Sequence, residues 1–250
     1  KRYPEDFALW KRAEPEHILR WPSPWGWGYP GWHVECSAMA TKYLGTTFDI
    51  HGGGIDNIFP HNECEIAQAE AANGETFARY WLLTGSLTVD GVKMSKSLGN
   101  FITIKDALSR HRPQAIRFFT FSSHYRSPVD YSEEALVAAQ RGWVRLIGPY
   151  LTVRERLIQP GLPAERSTDI EGFVRETQGN FRTAMDDDFN VPASLAVLFD
   201  FAKEVNTLLA RETRVGRPDL ESIEAFYREV AGGVLGLLPS STTASAEREA

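Results

Sequence analysis

The spacing of apolar residues changes about halfway along the chain, and the change separates two kinds of structure. Through the first hundred residues short apolar runs alternate with glycine and proline turns, the pattern of α/β structure. Residues 32–44 read as a helix that stops at Gly45, a residue suited to the left-handed position after a helix end. Residues 48–50 form a strand candidate running into His51-Gly52-Gly53-Gly54, which predicts a loop because glycine weakens the interior of a strand or helix. Pro60 fits the first turn of a second helix, which continues over residues 63–72 and stops at Asn73-Gly74. Leu87-Thr88-Val89 followed by Asp90-Gly91 predicts a tight hairpin turn.

From about Ser132 onward the pattern is helical. Thr168 and Glu171 fit a Ser/Thr-x-x-Glu capping box. Leu195, Leu198, Phe199, Ala202, Val205 and Leu209 share one face at a 3.6-residue period, which predicts an antiparallel bundle. Gly216 and Pro218 mark a break, residues 220–238 predict a further helix, and residues 240–250 are polar enough for a disordered tail. The fold class expected is therefore α/β followed by all-α, with no internal repeat.

Composition narrows the function classes. With 250 residues, 42% hydrophobic and 24% charged, the chain has the makeup of a globular protein with a real core. No apolar run approaches the roughly 20 residues a membrane span needs, so no membrane role is expected. Two cysteines, Cys36 and Cys64, and no secretory leader pattern point to a reducing, cytoplasmic setting. A net charge of −6 disfavours indiscriminate binding to a polyanion, while a local basic face could still hold RNA. The chain opens Lys1-Arg2-Tyr3-Pro4 without a methionine, and the expectation is a fragment of a longer protein.

Two constellations could carry chemistry. Cys36, His61 and Glu65 are the candidate metal ligands: His61 and Glu65 are four apart on a predicted helix and so share a face. Cys36 is expected in the first turn of its own predicted helix, where the dipole would lower the thiol pKa. The plain alternative is a surface spacing accident beside a packed cysteine. The second constellation is Lys93-Met94-Ser95-Lys96-Ser97, after the hairpin. Two ammonium groups among small hydroxyl residues suit a clamp on a polyphosphate whose charge grows as pyrophosphate leaves; a solvated surface loop is the alternative.

That five-residue string matches the signature of class I aminoacyl-tRNA synthetases. Residues 30–39 (Pro-Gly-Trp-His-Val-Glu-Cys-Ser-Ala-Met), 48–56, and 59–68 resemble the cysteinyl-tRNA synthetase family in order and spacing. So do His124-Tyr125-Arg126-Ser127 with Tyr131-Ser132, and Met185-Asp186-Asp187-Asp188-Phe189-Asn190. The resemblance covers about residues 1–240. It implies the second half of a Rossmann-like class I catalytic domain with zinc site and KMSKS loop over 1–100. A connecting stem-contact region over 101–131 and a tRNA-binding helical bundle over 132–239 would follow. It further implies that Cys36, His61 and Glu65 bind Zn2+, that Trp32 lines the cysteine pocket, and that His51, Gly53 and Asp56 meet the adenylate. Lys93 and Lys96 would serve catalysis, with Lys96 touching ATP.

The implied activity is ATP- and Mg2+-dependent formation of cysteinyl-adenylate and transfer to tRNA(Cys). Zinc would select cysteine over serine through the thiolate, with no editing domain. The family's HIGH-type motif and a first zinc cysteine have no match here and are expected upstream, in a missing N-terminal half that is the natural partner. This chain alone is accordingly expected to be inactive. Where the family reads His-His-Glu-Asn-Glu, this chain has His61-Asn62-Glu63-Cys64-Glu65, so Cys64 is either a substitute ligand or a plain buried thiol. Two other functions share these features: a cysteine ligase with an amino-sugar acceptor, as in mycothiol biosynthesis, and a non-enzymatic RNA-binding or interaction fragment.

Overall fold

The computed structural model describes residues 2–95, 97–166, 169–211 and 215–239. The chain forms two compact units, residues 1–86 and 87–250. In the first, β1 (Trp10–Arg12) pairs antiparallel with β2 (Gly28–Pro30) and leads into α1 (Trp32–Leu44). Gly31, the residue before α1, has no room for a side chain, because an added Cβ would lie 1.9 Å from the Ala8 carbonyl oxygen. Next comes β3 (Phe48–Gly54), then α2 (Glu63–Asn73) and β4 (Ala78–Thr84), with β3 and β4 parallel from Phe48↔Ala78 to Gly54↔Thr84. Helix α1 lies against α2, and Phe77, wholly buried, meets Phe48 edge-on at 4.9 Å.

Three local expectations need correction. The strand does not stop at residue 50: it runs through all three glycines, because β4 offers a hydrogen-bonding partner along that whole stretch. Gly45 has positive φ (100°) but ψ of 179°, outside the left-handed helical region, whereas Gly74 is left-handed as expected (φ 72°, ψ 15°). Helix α2 starts at Glu63, and Pro60 sits in a wide turn, Ile58–Asn62, where Phe59 is extended (φ −132°, ψ 131°) and the Phe59–Pro60 peptide is cis. A residue before proline avoids helical backbone, so the regular helix waits until that junction is past.

The second unit opens with the hairpin β5 (Leu87–Val89) and β6 (Val92–Lys93). Asp90 and Gly91 both have positive φ, 51° and 75°, the turn that matches strand twist in a two-residue hairpin. Strand β7 (Val129–Tyr131) joins parallel to β5, so the sheet order is β6-β5-β7. This pairing places the hairpin with the helices, and the unit boundary falls at residue 86/87 rather than at 100. The helices are α3 (Ile104–Arg110), α4 (Pro113–Phe121), α5 (Glu133–Leu157), α6 (Ile170–Asp186), α7 (Val191–Arg211) and α8 (Arg217–Tyr227), extended by wider turns over Arg228–Val234.

Their shared core holds Trp143, Leu146, Leu198, Phe201, Ile223 and Tyr227, and Trp143 Nε1 donates to the Leu237 carbonyl at 2.7 Å. Of the predicted α7 face, Leu195, Leu198, Ala202, Val205 and Leu209 are buried, while Phe199 sits at the margin beneath the Arg145 guanidinium (4.7 Å). Thr168 of the predicted capping box and the tail 240–250 lie outside the described residues; Glu171 pairs with Arg166 and Arg175 at 3.1 and 3.2 Å. Gly216 and Pro218 mark the start of α8, proline falling in its first turn.

Candidate functional site

Helices α1 and α2 are joined where Ser37 meets Gln68: the buried Ser37 hydroxyl lies 2.9 Å from Gln68 Oε1 and 3.1 Å from the His33 carbonyl. That junction sets Cys36, one position earlier on α1, against the start of α2. Among the described residues one group of donors gathers there, Cys36, His61 and Glu65, their ligand atoms all within 4.8 Å of one another. Glu65 is in the first turn of α2, where the helix dipole favours a carboxylate, and its side chain is wholly buried.

Two imidazoles reach Glu65, His51 Nε2 at 3.0 Å from Oε2 and His61 Nε2 at 3.5 Å from Oε1. Neither is aligned as a hydrogen bond, so both buried carboxylate oxygens lack a hydrogen-bond partner. A buried carboxylate without hydrogen bonds is costly unless a charge answers it. A cation between thiol, imidazole and carboxylate would answer it, and this set of donors suits a transition metal.

The histidine that completes the arrangement is one the sequence reading missed. His33 Nδ1 lies 2.8 Å from His61 Nδ1, leaving His61 Nε2 turned toward Glu65. Burial, then the neighbouring His61, lowers the His33 pKa. The only signal was its place in the Trp32-His33-Val34-Glu35-Cys36 string, one turn before Ser37. Trp32 is 58% exposed and stacks on the His61 ring at 4.2 Å, a flat wall over the donor cluster. His51, within β3, is stacked on Trp81 of β4 at 4.3 Å, which fixes the face it shows to Glu65.

One expectation about the cysteines fails, and the alternative left open for the other is narrowed. Cys36 is the fifth residue of α1, beyond the first turn, and its pKa is raised by burial and then by the negative charge of Glu65. Cys64 is buried, but the cluster comprises three donors and does not include it. Neighbouring residues point about 100° apart around a helix, so Glu65 facing the cluster turns Cys64 away.

The glycine strand leads into the remaining predicted positions of this unit. The Gly53 carbonyl accepts from Thr84 Oγ1 at 3.3 Å, and an added Cβ at Gly54 would meet nothing within 4 Å. Asp56, in the short turn Ile55–Asn57, accepts from the Ser86 hydroxyl at 3.5 Å.

In the second unit Lys93 ends β6, and Lys96 lies outside the described residues. Asn100 fastens the segment between: its Oδ1 accepts the Ser95 N–H at 2.9 Å and its Nδ2 donates to the Lys93 carbonyl at 3.2 Å. Among the described residues no helix is long and apolar enough to cross a membrane.

Comparison with known proteins bears on both units. Residues 1–141 match the model of the tRNA synthetases class I (C) catalytic domain, and residues 180–239 match a DALR domain. A cysteine–tRNA ligase of Chlorobaculum tepidum is 49% identical over 240 residues, covering 96% of this chain and 47% of that protein. One of Deinococcus radiodurans is 50% identical over 245 residues, 98% of this chain and 48% of its own length. The chain thus spans about half the length of the curated relatives it matches. A solved LeuRS–tRNA–LeuAMS ternary complex from Agrobacterium radiobacter K84 shares the fold at 15% identity, with a TM-score of 0.64 over 94% of this chain and 34% of that one. The catalytic-domain model alone accounts for more than half of the residues, and the chain belongs to the class I tRNA synthetase (C) family.

Proposed function

We propose that this chain is the metal-binding and lysine-loop portion of a cytoplasmic cysteine–tRNA ligase, which activates cysteine with ATP and passes it to tRNA(Cys). The observation that carries the reading is Glu65: a wholly buried carboxylate whose oxygens lack hydrogen-bond partners, beside a thiol and an imidazole. The half-length identity to proteins named cysteine–tRNA ligase supports it.

In this reading Cys36, His61 and Glu65 hold Zn2+. The ion, when bound, supplies a soft Lewis acid that prefers the thiolate of cysteine to the hydroxyl of serine. Every other task falls to the protein. His33 accepts the Nδ1 proton of His61, which presents Nε2 as the ligand atom and holds the ring's orientation. Trp32 walls the substrate side chain, and its contact with His61 ties the pocket to the ligand set. His51, Gly53 and Asp56 line the adenylate, the glycines allowing close backbone approach.

A carboxylate oxygen of cysteine attacks the α-phosphorus of Mg2+-bound ATP, and pyrophosphate leaves with the bonding electron pair. Lys93 and Lys96 meet the charge that builds on the leaving group. A hydroxyl of the terminal ribose of the tRNA then attacks the acyl carbon and releases AMP. Because the chain covers about half of its relatives, we assign the HIGH-type motif and a further zinc cysteine to the rest of the parent polypeptide. The test is ATP–pyrophosphate exchange by that polypeptide. Exchange that depends on cysteine and is unsupported by serine is expected; equal support by both amino acids overturns the reading.

A further inference from the structure

Two of the sequence motifs, His124-Tyr125-Arg126-Ser127 and Asp186-Asp187-Asp188-Phe189-Asn190, play no part in the site as described. The fold brings them together. Arg126 grips the Asp188 carboxylate with two donors, Nε to Oδ2 at 2.6 Å and Nη2 to Oδ1 at 3.2 Å. Tyr125 donates its hydroxyl to Oδ1 at 2.7 Å, and His124 Nε2 lies 3.1 Å from the Asp188 carbonyl. Asp188 sits at the corner between α6 and α7 with φ of +55°, followed by Phe189 at +53°. Two successive non-glycine residues in the left-handed region persist only where their surroundings impose it, and here four contacts fall on one residue.

What the corner holds is the approach to β7, and β7 holds the lysine hairpin. Asp130, in the middle of β7, accepts through Oδ1 from the Thr88 hydroxyl on β5 and, at 2.8 Å, from the Gly91 N–H in the hairpin turn. Strands β5 and β7 are three residues each and β6 is two, so their ladders contribute few hydrogen bonds and the side-chain ties weigh correspondingly more. Lys93 ends β6, and Asn100 fastens the segment that follows. Contacts at each end, joined by the short stretch of chain from Arg126 to Asp130, therefore lead from the α6–α7 corner to the start of the lysine loop.

We propose that Asp188 and Arg126 are positioning residues for the start of the lysine loop, fixing the β5–β6 hairpin to the helical bundle so that Lys93 is held for the ATP-dependent step. The role assigned to the lysines rests on the synthetase reading; the fastening itself does not. Asp188→Asn is the informative change, since asparagine keeps the size, the tolerance for left-handed backbone and one acceptor, and removes the charge that Arg126 grips. Arg126→Lys removes the two-pronged geometry and keeps the charge.

The first measurement is hydrogen–deuterium exchange of the 250-residue chain. In both variants amides of residues 87–95 should exchange about tenfold faster, as for a local opening made easier by one tie, with those of α5 and α7 unchanged. Unchanged hairpin exchange in both variants overturns the proposal. The second measurement is cysteine-dependent ATP–pyrophosphate exchange by the parent polypeptide. We expect kcat to fall about tenfold in each variant, within the range that small misplacements cost, with KM for cysteine and metal content unmoved. The double variant should be no worse than either single one. Losses that multiply in the double variant, or a change confined to KM for cysteine, overturn the positioning role. A wild-type polypeptide without cysteine-dependent exchange sinks the synthetase reading, while amide exchange still decides the fastening.

Discussion

The two units spend their interiors differently. Residues 87–239 enclose a single hydrophobic cluster that runs from Phe118 to Leu237, and most of its buried polar groups have partners: Thr177 bonds the Phe173 carbonyl, Ser194 the Asn190 carbonyl, Asp219 faces Arg166 and His111 pairs with Glu133 at 2.8 Å, while the Tyr131 hydroxyl has no hydrogen-bond partner. Residues 1–86 bury few apolar groups, among them Ala69, Phe77 and Ala78, and set beside them Ser37, His61, Asn62 and Glu65. Their large apolar side chains are often exposed, as at Trp25, Tyr43, Phe59 and Tyr80. Packing alone accounts for the order of the second unit. The first unit keeps a wholly buried carboxylate that two imidazoles approach without an aligned hydrogen bond, set beside a thiol, which is the signature of a site rather than of a core.

The largest effect expected from this contrast is in the donor cluster. Cys36→Ala in the parent polypeptide should abolish zinc retention and lower cysteine-dependent exchange by more than about 100-fold, the upper end of what outer-shell losses reach. Unfolding of the bundle should not change. Metal analysis beside exchange kinetics checks both, and an active, zinc-free variant would refute the cluster's role.

The converse break is Phe201→Ala, in the second unit. Phe201 is fully buried among Phe173, Phe226 and Tyr227, and truncating it should cost about 3–5 kcal/mol of stability. Urea unfolding of the 250-residue chain measures that loss, with zinc content unchanged under native conditions. Zinc lost in step with helix content would show that the two interiors do not act separately.

A third change sharpens the comparison at the lysine loop. Lys96→Ala should slow adenylation by about 100-fold, the low end for removal of one group that meets transition-state charge, while KM for cysteine moves little. Pre-steady-state adenylate formation gives the rate. A rate equal to wild type would leave Lys96 an ordinary surface lysine.

How much of this was legible in the sequence depended on how local the cause was. Helix α1, the left-handed Gly74 and the Asp90-Gly91 turn follow from neighbouring residues, and the structure has each of them. The three glycines after Ile50 were misread as a loop because what makes them a strand is β4, thirty residues away. The α7 face was found by its period, yet Phe201, off that face, is buried too, since it stacks on Phe173 of α6 and meets Phe226 and Tyr227 of α8. In the site, Cys36, His61 and Glu65 stood out by residue type and spacing. The raised thiol pKa did not, because both its causes, burial first and then the Glu65 charge, depend on the fold, and Glu65 reaches Cys36 only across the α1–α2 contact. The meeting of Arg126 with Asp188 spans 62 positions and is a property of the fold alone.

The smallest effect, and the finest test of the contrast, belongs to Cys64. It is buried on α2, immediately before Glu65, yet it is not in the donor cluster, so burial and not ligation is what its place in the fold provides. Cys64→Ser keeps the shape and makes the atom more polar, which at a buried position should cost about 1–3 kcal/mol if the hydroxyl finds no acceptor. Zinc affinity should stay within about twofold, since the three donors that face one another are untouched. Competitive metal titration with a chelator of known affinity measures this directly, and thermal unfolding reads the stability change in the same samples. Stability lost with affinity kept would place Cys64 with the packing side of the first unit. Affinity lowered tenfold or more, with stability kept, would make it a fourth ligand and move one more buried group from core to site.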